Sequence, residues 1–246
     1  MLKQNVIEIG AARKTAAVSQ FSQPDLIREL PDLPVLPETL VKLELASRDR
    51  PVELARVSEM ILFDLGAAIE LMRLASRDWE DGGHPERIED SISHLGIPTC
   101  LDAVSKHIMI RCKHNLPIVE AWEHAGVIAY LSGLLVLEMD LYTTPEDARW
   151  VGLCHEIGRL PEILGWDMAG KGSFDVNLAG LSMAKAWSLP RCVVQYFSER
   201  RDAKSNSRLT AIVDEAHRMI KRESAPRQEG GDSSSNYSFL ERVLTI

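Results

Sequence analysis

The chain has 246 residues, 45% of them hydrophobic, enough to bury a sizeable core and too apolar for a wholly disordered protein. Its formal net charge of −8 makes nucleic acid and acidic lipid poor partners for the average surface. Its four cysteines, Cys100, Cys112, Cys154 and Cys192, form no Cys-x-x-Cys pair, so neither a zinc ribbon nor a disulfide framework is expected.

Residues 1–29 are weakly patterned and are expected to form an extension helix or a partner-binding arm. Met1 to Ala17 has no charged start followed by an apolar run, so no signal peptide is read there. Val127 to Met139, interrupted by Ser132, Gly133 and Glu138, is too short to span a bilayer. A cytoplasmic protein with no membrane contact is the expectation.

From residue 30 the apolar spacing is helical. Pro37-Glu38 opens a helix with Leu40 and Leu43 on one face, and Pro51 opens a second. Asp64 is the expected N-cap of a helix over Leu65 to Ala75. Ile88, Ile92 and Leu95 share a face that Gly96 ends, and Pro98 starts the next helix. The longest helix is expected from Pro117 to Met139, with Ala121, His124, Val127, Ile128 and Leu131 on one side. Thr144-Pro145-Glu146-Asp147 combines a capping hydroxyl, a first-turn proline and acids suited to the helix dipole.

That helix leads to Cys154-His155-Glu156-Ile157 and then Gly158. A short segment, Glu162 to Asp167, and the turn Gly170-Lys171-Gly172 follow. Asp175 to Trp187, Pro190 to Phe197 and a stripe from Leu209 to Ile220 complete the helices, for an all-α fold without a convincing strand. The helical domain is placed at 30–222 and a flexible linker at 223–236. The apolar segment 237–246 is expected to dock on the body or on a second subunit.

His124, His155 and His217 each fall on or beside an apolar helix face, where imidazoles from separate helices can converge. Neighbours on a helix diverge by about 100°, so His155 and Glu156 can share an ion only at a helix end, which Gly158 supplies. A buried histidine bonded to a backbone carbonyl is the plainer use of such residues.

Several stretches in fixed order resemble the HDOD domain, the HD-related output domain of bacterial signalling proteins. Leu30 to Pro37 is similar to its entry motif, Leu71-Met72-Arg73-Leu74-Ala75-Ser76 to its L-L-R-L-A-N-S segment, and Ile88 to Gly96 to I-x-x-A-I-x-x-L-G. Trp122-Glu123-His124-Ala125 resembles W-x-H-S, Ala148 to Gly158 resembles A-x-x-A-G-L-L-H-D-I-G, and Ala184 to Pro190 resembles L-x-x-W-x-L-P. The resemblance implies an all-α, two-lobed helical bundle related to the metal-dependent HD phosphohydrolases.

This chain departs from that pattern. His155-Glu156 stands for His-Asp, Ala216-His217 for a late Ala-Asp pair, and Tyr196 to Arg201 lacks the histidine pair many members carry. The resemblance therefore implies a non-catalytic signalling module with no catalytic residues and no cofactor, whose input or output comes from another signalling protein, with a homodimer as a further expectation. The alternatives are a metal-dependent phosphohydrolase acting on a nucleotide or phosphorylated metabolite, and a nucleotide-sensing pocket without catalysis. A metal such as Fe, Mn or Zn would take His124, His155, Glu156 and His217 as ligands. In the hydrolase, Lys106, Lys113 or Arg159 would neutralise phosphate, and in the sensor Gly170-Lys171-Gly172 and Arg200-Arg201 would contact the anion.

Overall fold

The computed structural model describes residues 31–48, 51–77, 79, 83–108, 116–139, 143–166, 175–201 and 208–224. The expectations for the extension 1–29, the segment 237–246, nearly all of the linker, Cys112, Lys113 and Gly170-Lys171-Gly172 lie outside them. The described residues form helices α1 (Pro37–Ala46), α2 (Leu54–Ile61), α3 (Leu65–Arg77), α4 (Ile88–Leu95), α5 (Ile97–Ser105), α6 (Leu116–Met139) and α7 (Pro145–Cys154). A 3-10 turn over Ile157–Arg159 leads into α8 (Leu160–Ile163), α9 (Val176–Ala186), α10 (Arg191–Arg200) and α11 (Arg208–Ser224). The β-type pairing among them is an isolated parallel bridge between Val35 and Ile108. No described helix is long and apolar enough to cross a membrane.

Local chemistry sets most of the boundaries. Thr144 caps α7 as its spacing predicts, its hydroxyl accepting from the Asp147 amide at 3.0 Å. Asp175 caps α9 by accepting from the Asn177 and Leu178 amides. Gly96 takes a φ of 76° between α4 and α5. Several boundaries differ from the sequence expectation: α2 starts three residues after Pro51, with Pro51 outside it, α8 begins at Leu160 rather than Glu162, α10 runs on from Phe197 to Arg200, and α7 stops at Cys154, so His155 lies just beyond its helix.

Helices α1 to α5 pack on one another as one lobe, and α6 to α11 as a second. Trp122, Trp150, Trp187, Tyr196 and Phe197 fill the second lobe with large buried rings, while Ile61, Ile69, Leu71 and Met72 fill the first. The lobes are joined by directed bonds. Trp122 Nε1 on α6 donates to the Pro34 carbonyl at 2.8 Å, and the Glu146 carboxylate accepts from the Ile88 amide and pairs with Arg87.

Asp64 organises the first lobe. Its fully buried carboxylate accepts from the Leu36 amide at 2.8 Å, the Thr39 hydroxyl at 2.7 Å and the Ala67 amide at 3.1 Å. One side chain thus caps α3 and fixes the start of α1 beside it. Burial pushes its pKa up to about 6, against the pull of these donors.

Candidate histidine centre

The second lobe brings together three of the four residues singled out by the sequence. His124 sits in the first half of α6, His155 just past the end of α7, and His217 on α11. Helix α7 can lie close to α6 because Gly152 faces it. A Cβ there would come within 2.8 Å of Ala129 Cα, the Ile128 carbonyl and Ser132 Oγ. Three residues later the chain turns away, and Gly158 lets that turn press against the Val176 carbonyl at the start of α9, where a side chain would overlap it.

The three imidazoles form a compact triangle. Ring centroids are 5.4 Å apart for His124 and His155, 5.0 Å for His124 and His217, and 4.9 Å for His155 and His217. One ring nitrogen from each lies within 4.8 Å of the others. His155 is only 9% exposed, and its Nδ1 lies 2.7 Å from the Gly152 carbonyl. A carbonyl only accepts, so Nδ1 carries the proton and Nε2 is left with a bare lone pair. That Nε2 is buried and has no hydrogen-bond partner.

The electrostatics keep the triangle neutral. Burial pushes His155 down to about 4, and burial also lowers His124 and His217 from their ordinary values. At neutral pH the cluster offers lone pairs and no charge.

Glu156 stands beside the triangle, near enough for its charge to act on all three imidazoles, but its carboxylate is not among the atoms that converge. The atoms close enough to share an ion there are those of the three histidines, and the Glu156 carboxylate accepts from Arg159 Nη1 at 2.9 Å. Although its partial burial works the other way, His155 and Arg159 together hold that carboxyl below the usual range. Arg159 closes the 3-10 turn that follows Glu156, three residues on, which puts its guanidinium within reach of that carboxylate. As set in the structure, the fourth expected ligand is an ion-pair partner.

Three of the cations weighed from sequence are engaged as well. Lys106 pairs with Asp102 in the other lobe, and Arg159 with Glu156. Arg200 donates to the Tyr196 hydroxyl at 3.1 Å and stacks over its ring, while Arg201 is exposed at the end of α10.

One polar cluster in the first lobe escaped sequence reasoning. Arg73 bridges Asp32 and Glu70 at 3.2 and 3.3 Å, and the His107 ring nitrogens lie 3.9 Å from those same carboxylates. Asp32 and His107 lie 75 residues apart (107 − 32), and only Arg73 and Glu70, three apart on α3, are local enough to leave a sequence signal.

Comparison with known proteins places this architecture. The family model described as HDOD domain matches residues 33–164. Two solved structures of the MmoQ response regulator from Methylococcus capsulatus str. Bath share the fold. A fragment of that protein is 16% identical with a TM-score of 0.61, the match covering 89% of this chain and 93% of that one. The second is 16% identical with a TM-score of 0.60, covering 89% of this chain and all of that one. No curated protein matches the sequence.

Proposed function

The chain belongs to the HDOD domain family, and on that premise we propose that it is a regulatory module of bacterial signal transduction that works through protein contacts and hydrolyses no phosphate ester. The observation that carries this reading is the position of Glu156. Hydrolysis at an HD-type centre needs carboxylates beside the imidazoles to hold a metal ion and activate water. Here the histidine triangle contains no carboxylate, and the adjacent acid is committed to Arg159.

Two further features support contact-based signalling. Val41 and Leu45, one turn apart on α1, are 55% and 57% exposed, and Leu54 at the start of α2 is exposed as well. Beside them a groove lined by Lys42, Arg56, Met60, Phe63, Tyr130 and Arg149 runs between the lobes, with apolar side chains among charged ones. Such a surface suits a protein partner better than a small phosphorylated substrate. The fold is also that of a protein described as a response regulator.

Two assays test the proposal together. The purified protein is incubated with a generic phosphodiester, nucleoside phosphates and cyclic dinucleotides, each with Mg2+, Mn2+, Fe2+ or Zn2+. Background rates are expected throughout, and metal-dependent turnover that disappears in His155→Ala overturns the reading. In a deletion strain, Val41→Asp with Leu45→Asp is expected to abolish complementation while leaving the circular-dichroism melt unchanged. Full complementation by that double variant counts against a contact role for this face.

A further inference from the structure

We propose that His124, His155 and His217 bind a single borderline divalent ion of the Zn2+ class through three imidazole nitrogens, without Glu156 as a ligand. The donor set differs from that of the HD hydrolases, where carboxylates share the metal, and the geometry points to a fixing site for helices.

The first support is the tautomer of His155. Its Nδ1–H is spent on the Gly152 carbonyl at 2.7 Å, the outer contact that orients a ligating imidazole. The same bond aims an unprotonated Nε2 into the cluster, where it is buried and unpartnered. A buried lone pair without a donor is costly, and a metal ion satisfies it directly.

The second support is convergence. Three donors bound at about 2.1 Å around a tetrahedral ion stand roughly 3.4 Å apart. The three nitrogens here already lie within 4.8 Å of one another. His155 is anchored, whereas His124 and His217 are half-buried, so small side-chain rotations close the remaining gap. Three neutral nitrogens with no oxygen donor favour Zn2+, Co2+ or Cu2+ over Mg2+ and Mn2+.

The consequence is mechanical. The ligands come from α6, from the residue after α7 and from α11, so a bound ion fastens α11 to the α6–α7 pair. Metal occupancy would then set how firmly α11 is held. This inference does not rest on the signalling reading, since a protein that binds Zn2+ and hydrolyses nothing satisfies both, and each fails by its own assay.

The test uses the full chain without a histidine tag, titrated with Co2+ and Zn2+ by calorimetry and visible absorption. One equivalent is expected to bind, and Zn2+ is expected to raise the thermal midpoint. His217→Gln, on a half-buried position, is expected to weaken binding at least ~100-fold and to erase the Zn2+ stabilisation, with its metal-free melt unchanged. His124→Gln should do the same, which guards against misfolding of either variant. His107→Ala, in the other lobe, should bind within about threefold of wild type, and Glu156→Gln, which removes a neighbouring charge but no donor, should weaken binding by less than about tenfold. No binding by wild type at about 0.1 mM metal, wild-type binding by both histidine variants, or loss of binding in Glu156→Gln each overturns the proposal.

Discussion

Replacing Asp64 by alanine is expected to cost about 4 kcal/mol, because it strands the buried Leu36 and Ala67 amides at roughly 1–3 kcal/mol each. The Thr39 hydroxyl can rotate toward another acceptor and adds less. With a urea slope of about 2 kcal/mol/M, the unfolding midpoint should fall by about 2 M. Fluorescence of Trp122, Trp150 and Trp187, all buried, reports the transition. The pH dependence carries a second number. The folded pKa of about 6 stands above the ordinary 3.8, so this contribution to stability is fully present below pH 3.8 and is lost as the pH rises through 6. The difference between wild type and Asp64→Ala should therefore be about 1.4 kcal/mol larger at pH 5 than at pH 7.5. A difference that instead grows with rising pH would mean that the three donors outweigh burial. A cost below about 1 kcal/mol at every pH would refute the role of Asp64 in fixing α1 to α3.

Three other outcomes are expected. Gly152→Ala forces α7 away from Ala129 and Ile128, and should lower stability by about 1–3 kcal/mol in urea titration. Thr144→Ala removes the α7 cap, and a loss of about 1 kcal/mol should lower the thermal midpoint by roughly 2–4 °C. Burial pushes the Cys100 thiol up to about 11 and the Cys154 thiol further still, so a thiol reagent at pH 8 should leave both unmodified in the native protein and label them after unfolding, as read by peptide mass spectrometry.

Helix signals that act over one turn were open to reading along the chain. Thr144 with Pro145 and Asp147 marks the start of α7, and Asp64 marks α3, because a cap bonds to amides two or three residues away. The 3.6-residue period of apolar side chains gave the all-α class and placed His124, His155 and His217 at apolar faces or helix ends. The ordered motifs from Leu30 to Pro190 carried the family, and with it the two-lobed bundle.

What joins residues far apart in sequence was decided only by packing. The sequence allowed Asp64 to cap α3 but held no sign that the same carboxylate takes the amide of Leu36, 28 residues earlier. The tetrad of Asp32, Glu70, Arg73 and His107 likewise appears only when α3 meets the residues after α5. Glu156 divides between the two. Its ion pair with Arg159, three residues on, is as local as that of Glu70 and Arg73, but the close approach of α9 to Gly158 and the convergence of three imidazoles without its carboxylate are tertiary. Sequence by itself supplied the three imidazoles and their helices. Tertiary structure supplied the triangle they form and the absence of a carboxylate from it, because side-chain direction at a helix end follows from what packs against the backbone there.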